Sequence, residues 1–359
     1  MTNPFISICI PQYNRTAFLL KCLESIAEQT FEDYEVCISD GGSTDSGEQR
    51  VREFLCSSGM RFKYEGSDTN LKYDQNLRRA ISLSTGHYVF LMGNDDAMAD
   101  SSVLANVASR LREEPSVVAA VTNYRELSSG VVYTRISQDG VLGSGPACAA
   151  STFRQYAFVS GVIFHGPMAR EAACAQVDDS EMYQMYLGTR LVSSGGSFLG
   201  IRQVCIHKDI QIPGEQVDSY RSRMREPAWP LRPRPLPLGR IVHTICVGVV
   251  AAAGERAAPR IAASVASQLY LFTYPYWMVD YRRVQSLGYA LGVYLALRPS
   301  ETCKQIPISM ASRVRLWTLY VLCGLCAAIV PINIFDRLRS GLYRFAKRSR
   351  VSNFVNERA

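Results

Sequence analysis

Two adjacent carboxylates, Asp95 and Asp96, follow the apolar run Tyr88-Val89-Phe90-Leu91-Met92 with only Gly93 and Asn94 between. Such a run reads as a buried strand. Neighbouring acids at its end repel one another, and burying them without a partner is strongly unfavourable. A hard divalent cation with oxygen ligands, shared with a phosphate-bearing substrate, relieves that repulsion. The same residues also suit a turn that caps the next helix, because Asp100-Ser101-Ser102 follows. Three more polar groups have chemistry to offer: Pro11-Gln12-Tyr13-Asn14-Arg15, Asp40-Gly41-Gly42-Ser43-Thr44-Asp45 and the acidic cluster Asp178-Asp179-Ser180-Glu181.

The elements between these groups follow from periodicity. Phe5 to Ile10, Tyr34 to Ser39, Phe62 to Tyr64 and His87 to Met92 read as strands. Ala17 to Gln29, Gly47 to Ser57, Asn76 to Ser84 and Ser101 to Arg112 carry apolar residues at helical spacing. Strand and helix alternate with short connections, the pattern of a mostly parallel sheet wrapped by helices. Ligands in such sheets sit at the carboxyl ends of the strands, where Pro11–Arg15, Asp40–Asp45 and Asn94–Asp96 all fall. Val117 to Thr122, Phe158 to Phe164 and Phe198 to Ile206 read as further strands, the second ending at His165. Residues 128–151 are Gly/Ser-rich and give no clear pattern. Val177 to Glu181 opens a helix running through Leu191, with Asp178 or Ser180 as its cap.

A chain of 359 residues, 47% hydrophobic and 20% charged, is neither disordered nor fibrous and can bury a large core. Eleven cysteines are scattered without a framework spacing, and Met1-Thr2-Asn3-Pro4 runs directly into a strand. We read no signal peptide and a reducing, cytoplasmic setting. Cys323-Gly324-Leu325-Cys326 has a metal or redox spacing but lies inside an apolar segment, where packing is the simpler reading. The sequence divides into a domain at 1–222, a Pro/Arg-rich linker at 223–240 and a helical region at 241–359. In that last region Leu316 to Phe335 holds no charge, and nine Lys/Arg against two acids stand from Arg313 to the end. This pairing points to an anionic inner-membrane surface. Nucleic acid is not expected, since no aromatic basic platform or helix-turn-helix pattern accompanies the charge.

Taken together, Ile6-Ser7-Ile8-Cys9-Ile10-Pro11-Gln12-Tyr13-Asn14-Arg15, Tyr34 to Asp45, Asn70-Leu71-Lys72-Tyr73-Asp74-Gln75-Asn76, Thr85-Gly86-His87-Tyr88 and Asn94-Asp95-Asp96 resemble the family 2 glycosyltransferases of GT-A fold. The Tyr-Asp-x-Asn segment and the Gly-Asn-Asp-Asp ending are most similar to the bacterial O-antigen and abequosyltransferase-like branch. The resemblance implies a Rossmann-like, mostly parallel sheet and a UDP-, GDP-, CDP- or dTDP-linked sugar donor. It implies donor contacts from Pro11, Tyr13, Asn14, Arg15, Asp40, Gly41, Lys72, Asn76 and Asp95. Mn2+ or Mg2+ would be held by Asp96 and Asp95, with His165 as a further ligand. In the family an acid usually stands two positions before the paired acids; here that position is Gly93. The catalytic base of the family is an acid at the start of a helix after the acceptor-side strand, which implies Asp179 and next Glu181, although the usual Glu-Asp pair is absent.

The expected activity is transfer of a sugar to a glycan or polyprenyl-diphosphate-linked acceptor in surface-polysaccharide synthesis, at the cytoplasmic face of the inner membrane. Two alternatives stand beside it. A nucleotidyltransferase would share the sheet and the metal logic, but would carry a Gly-rich basic loop where this chain has Pro11-Gln12-Tyr13-Asn14. A catalytically impaired membrane-bound subunit would account for the irregular acids at 178–181.

Overall fold

The computed structural model describes residues 3–215, 238–284, 287–303 and 308–338. Of these, 3–215 and 247–255 form one compact unit and the remainder a second. The first unit opens with β1 (Ile6–Gln12), α1 (Thr16–Ala27), β2 (Tyr34–Asp40), α2 (Glu48–Ser58), β3 (Phe62–Glu65), α3 (Tyr73–Leu83) and β4 (Tyr88–Leu91). It continues with β5 (Ala97–Met98), α4 (Val103–Glu113), β6 (Val117–Glu126), β7 (Val132–Tyr133), β8 (Gly140–Ser144) and α5 (Gly145–Thr152). β9 (Val162–His165), α6 (Gly166–Glu171), α7 (Tyr183–Ser193) and β10 (Ser197–Lys208) complete it.

These strands form one mixed sheet in the order β3-β2-β1-β4-β9-β6-β10-β5, with β7 on β6 and β8 on β10. β3, β2, β1 and β4 run parallel, β9 runs against both β4 and β6, and β10 runs parallel to β6. The carboxyl ends of β1, β2, β4, β6 and β10 therefore share one edge. β1 and β2 are almost wholly buried because helices cover both faces, so their sequences are continuous apolar runs. Ile6, Ile8 and Ile10 pack with α1, α2 and α4 in the main core. Cys9 faces the other side, where its thiol donates to the Ala80 carbonyl of α3 at 3.3 Å.

Four readings are corrected here. α3 starts at Tyr73, not Asn76. α7 starts only at Tyr183, because Asp179 and Glu181 hold φ of 67° and 60°, left-handed values that stop a right-handed helix. The strand read at Phe158 to Phe164 begins only at Val162, since the carbonyls of Phe158 and Ser160 accept from the Arg135 guanidinium at 2.7 Å each. β10 runs on to Lys208, pairing with Glu126 of β6. The unassigned segment 128–151 forms β7, β8 and α5, with β8 antiparallel to β10.

In the second unit, the helices Ala258–Phe272, Tyr274–Val284, Leu287–Ala296 and Met310–Ile329 pack together. Tyr270, Tyr274, Tyr294 and Tyr320 stack at their centre, with Tyr294 and Tyr320 ring centroids 4.4 Å apart. A Cβ on Gly324 would lie 2.2 Å from the Tyr294 ring, so only glycine lets the last helix approach that closely. That helix starts before the expected Leu316 because Ser309 caps it, accepting the Ser312 N–H at 3.2 Å. It ends at Ile329, before Pro331. All eleven cysteines are free thiols, including the pair at 323 and 326. Residues 223–237 of the expected linker, and the basic residues beyond Leu338, lie outside the described residues.

Candidate active site

The carboxyl edge is organised around the ends of β1, β2 and β4. The β1 chain turns sharply because Asn14 and Arg15 both take left-handed backbone (φ 51° and 61°), a costly conformation for arginine that marks a constrained position. The turn aims the Arg15 guanidinium at Asp95, with Nη1 2.7 Å from Oδ2, and stacks it over Phe18. The adjoining β2 loop is tied to the turn: the Asn14 N–H donates to Ser43 Oγ at 2.7 Å and the Thr44 N–H to Asn14 Oδ1 at 2.7 Å. Asp45 accepts the Thr16 N–H at 2.9 Å and so caps α1.

Asp40 is buried at the end of β2, where its carboxylate accepts from the Ser43 N–H at 2.8 Å and the Tyr64 hydroxyl at 2.6 Å. A carboxylate has about four acceptor positions, so capacity for another donor remains. Gly41 fits because a Cβ there would come within 2.9 Å of the Asn76 amide. The Gly41 N–H donates to Gln12 O at 2.8 Å, and its carbonyl accepts the Leu71 N–H at 2.9 Å. The segment preceding α3 is thus laid along the same edge. Tyr13 is exposed there, and its hydroxyl accepts from Asn70 Nδ2 at 2.9 Å.

Asp95 and Asp96 differ sharply. Asp95 is partly exposed and faces Arg15. Asp96 is 1% exposed; its Oδ2 accepts from the Ser160 hydroxyl and its Oδ1 accepts the Asp209 N–H at 3.0 Å. Burial first, and the Asp95 charge second, push the Asp96 carboxyl up to about 8 against those two hydrogen bonds. Asp209 lies just past β10, in left-handed backbone, and pairs with Lys208 at 2.5 Å; Lys208 also reaches Glu126 at 3.2 Å. Arg135 holds the loop carrying Ser160, and burial lowers it to about 10.

The acidic segment 178–181 reaches this edge through α3. Asp178 pairs with Arg78 through both guanidinium nitrogens. The buried Asp74 accepts the Glu181 N–H at 2.8 Å and the Tyr183 N–H at 3.0 Å. Asp74 therefore caps α7 from another helix, a role expected of Asp178 or Ser180. The Tyr73 hydroxyl donates to Gln184 at 3.1 Å. Lys72 meets the exposed Asp179 at 2.7 Å.

Residues 7–174 match the sequence profile described as glycosyl transferase family 2. They form a family 2 glycosyltransferase domain. Over 132 residues the chain is 36% identical to a PGL/p-HBAD biosynthesis glycosyltransferase of Mycobacterium bovis, covering 35% of this chain and 51% of that protein. Over 100 residues it is 39% identical to the abequosyltransferase RfbV of Salmonella typhimurium, covering 27% of this chain and 30% of that protein. The chain thus spans about half the length of the mycobacterial relative. The fold is that of S. aureus TarS 1-349, solved in complex with UDP, at a TM-score of 0.58 and 14% identity over 89% of this chain and 90% of that one. The first unit is a GT-A fold.

Within the glycosyltransferase domain, Pro11, Tyr13, Asn14, Arg15, Asp40, Gly41 and Asp95 meet at one edge, and Lys72 stands with Asp179 beside it. Two expected contacts do not stand. His165 ends β9, which runs against β4, so it pairs with Tyr88 at the start of that strand. Three residues at ~3.3 Å each put it about 10 Å from the carboxyl end of β4, so it is no metal ligand. Asn76 is buried, and its amide is engaged by the Gln12 carbonyl at 2.7 Å and the Ser39 hydroxyl at 2.6 Å. Its amide is spent on tying β1 to β2. The order of the two acids also changes, since the accessible one is Asp95. Asp209, Asp74, Ser160 and Arg135 were not singled out from sequence. Only Asp74, inside the Tyr-Asp-x-Asn segment, carried a signal.

Among the described residues no cluster of three or more His, Cys, Asp or Glu is set to hold a metal. The Asp95–Asp96 pair nevertheless fits a hard cation that takes its remaining ligands from phosphate and water, the usual way Mg2+ is held. The upward shift of Asp96 marks a place where added positive charge is favourable.

Proposed function

We propose that this protein is an inverting glycosyltransferase of the hexosyltransferase type. It would move a sugar from a nucleoside-diphosphate donor to a glycan or polyprenyl-diphosphate-linked acceptor in bacterial surface-polysaccharide synthesis, at the cytoplasmic face of the inner membrane. The observation that carries this reading is the meeting, at one sheet edge, of a partly exposed carboxylate held by arginine (Asp95–Arg15) and an exposed lysine–carboxylate pair (Lys72–Asp179). Curated relatives that are themselves glycosyltransferases support the reaction class. Residues 1–222 would be the catalytic domain and 241–359 the membrane-associated region.

In this reading Pro11 and Tyr13 wall the base and Asp40 accepts a base N–H. Arg15 and Lys72 balance the diphosphate as charge develops on it. Asp95, with Asp96 beside it, would hold Mn2+ or Mg2+, which when bound stabilises the departing nucleoside diphosphate. The acceptor hydroxyl attacks the anomeric carbon as the glycosyl–phosphate bond breaks, and Asp179 takes its proton, with Glu181 as the second choice. The Lys72–Asp179 pair is exposed on both sides, so it contributes at most about 1 kcal/mol. An arriving diphosphate displaces so weak a contact easily and frees Asp179 to act as base. Asp178 is held by a bidentate, less exposed pair and stays structural.

The test is a panel of UDP-, GDP-, CDP- and dTDP-sugars with a polyprenyl-diphosphate-linked acceptor, with products read by mass spectrometry and anomeric configuration by NMR. The expected result is one donor giving product with inverted configuration. Nucleotide binding with no product from any donor would instead favour the impaired subunit. Pyrophosphate release from a nucleoside triphosphate and a sugar phosphate would favour a nucleotidyltransferase.

A further inference from the structure

The second unit carries an apolar surface that the transfer chemistry does not use. On the helix Met310–Ile329, one row of side chains (Leu316, Tyr320, Gly324 and Ala327) is buried against the tyrosine cluster. A second row (Met310, Val314, Trp317, Val321, Leu325 and Ile329) is exposed, to 73% at both ends. The neighbouring helix Leu287–Ala296 adds Leu287, Leu291 and Leu295, exposed at four-residue spacing. Contiguous exposed apolar surface of this kind marks an interaction site.

Charge says which partner it fits. The sequence holds no acid between Glu301 and Asp336, and Asp336 is neutralised by Arg283 at 2.8 Å. Arg313, Arg315 and Arg337 stand exposed at the two ends of the patch. An apolar row flanked by exposed arginines, with no acid in the sequence between Glu301 and Asp336, complements a negatively charged lipid surface.

The helix is long and apolar enough to cross a bilayer by length and composition, yet its details speak against crossing. Arg313 and Arg315 occupy its first turns, leaving 316–329 as the uncharged part of the helix, and Pro331 interrupts the uncharged run that continues to Phe335. At ~1.5 Å per residue that part of the helix covers about 21 Å, against a hydrocarbon core of ~30 Å. Its other face is already packed on protein.

We infer that the helices Met310–Ile329 and Leu287–Ala296 form a docking face that lies in the plane of an anionic bilayer without crossing it. Trp317 sits at the headgroup boundary and the flanking arginines on lipid phosphates. The donor-site reading is independent: sugar transfer can fail while docking holds.

The test uses the full chain with vesicles of 30% phosphatidylglycerol in phosphatidylcholine, and of phosphatidylcholine alone, read by flotation. Binding to the anionic vesicles is expected, with release by alkaline carbonate. Combined Arg313→Gln and Arg315→Gln should weaken binding about 25-fold, roughly five-fold for each cation. Combined Leu322→Glu and Leu325→Glu, both at exposed positions, should weaken it at least about ten-fold with unchanged circular dichroism. Retention through carbonate would overturn the inference in favour of a crossing helix. Failure to bind vesicles, or a dimer in lipid-free solution that the glutamate variant dissociates, would overturn it in favour of another occupant.

Discussion

Two buried carboxylates at opposite ends of the same sheet have opposite fates. Glu35, near the amino end of β2, accepts from the Ser7 hydroxyl at 2.7 Å, the Thr85 N–H at 2.6 Å and the Thr85 hydroxyl at 2.8 Å, and meets Lys63 at 3.2 Å. Burial alone would raise it, but those four partners outweigh burial and hold it below the usual carboxylate range. Asp96, at the carboxyl end of β4, is buried more deeply, has two partners and a second acid beside it, and rises to about 8. Being buried does not by itself decide which way a carboxyl shifts. What separates the two is whether the protein itself completes the compensation. At the amino edge it does, and at the carboxyl edge something positive is still wanted.

Substitutions at the carboxyl edge should cost the most. Asp179→Asn is expected to lower kcat by about 10²–10⁴-fold with donor affinity little changed, as steady-state kinetics would read. If Glu181→Gln showed that loss and Asp179→Asn did not, the base would be Glu181. Asp95→Ala should reduce transfer by about 10²–10³-fold while the far-ultraviolet circular dichroism stays the same. Asp74→Ala removes the cap of α7 and frees the turn that carries Asp179. We expect about 2–3 kcal/mol lost in urea melts, and a fall in kcat larger than any change in donor KM.

The amino edge should answer through stability and not through chemistry. Since the folded pKa of Glu35 is depressed, its stabilisation is complete above the unfolded value of about 4.3. It is lost as pH falls through the folded value. Glu35→Gln should therefore cost about 1–2 kcal/mol at pH 7, and the difference from the parent should shrink below about pH 4 in melts across pH 3–7. His165→Ala, on the same edge, should leave transfer within about two-fold. A large loss there would undo the separation of the two ends.

The sequence announced the carboxyl edge more clearly than its inner workings. Strands covered on both faces must be continuous apolar runs, so Phe5 to Ile10 and Tyr34 to Ser39 could be placed to within two residues of β1 and β2, and the polar groups after them marked the edge. Strand direction leaves no such trace. Nothing local distinguishes β9 from its parallel neighbours, which is why His165 was expected among the ligands and lies at the far end. The ranking of Asp95 and Asp96 was hidden for a related reason: which of two adjacent acids turns inward depends on Ser160 and the Asp209 N–H, distant in sequence. Arg135 sits in a Gly/Ser-rich stretch whose short strands exist only through pairing with β6 and β10. The left-handed turn at Asp179 and Glu181 was likewise invisible, since its cap comes from Asp74, over a hundred residues earlier.

The central claim is that the carboxyl edge binds a nucleoside diphosphate through a cation held at Asp95. Titration calorimetry of UDP, GDP, CDP and dTDP against the parent chain and Asp95→Ala, each with Mn2+ and with EDTA, tests it directly. The account predicts that one nucleotide binds the parent only when Mn2+ is present, and that Asp95→Ala abolishes this binding. Equal affinity in the two proteins, or binding indifferent to EDTA, would contradict it.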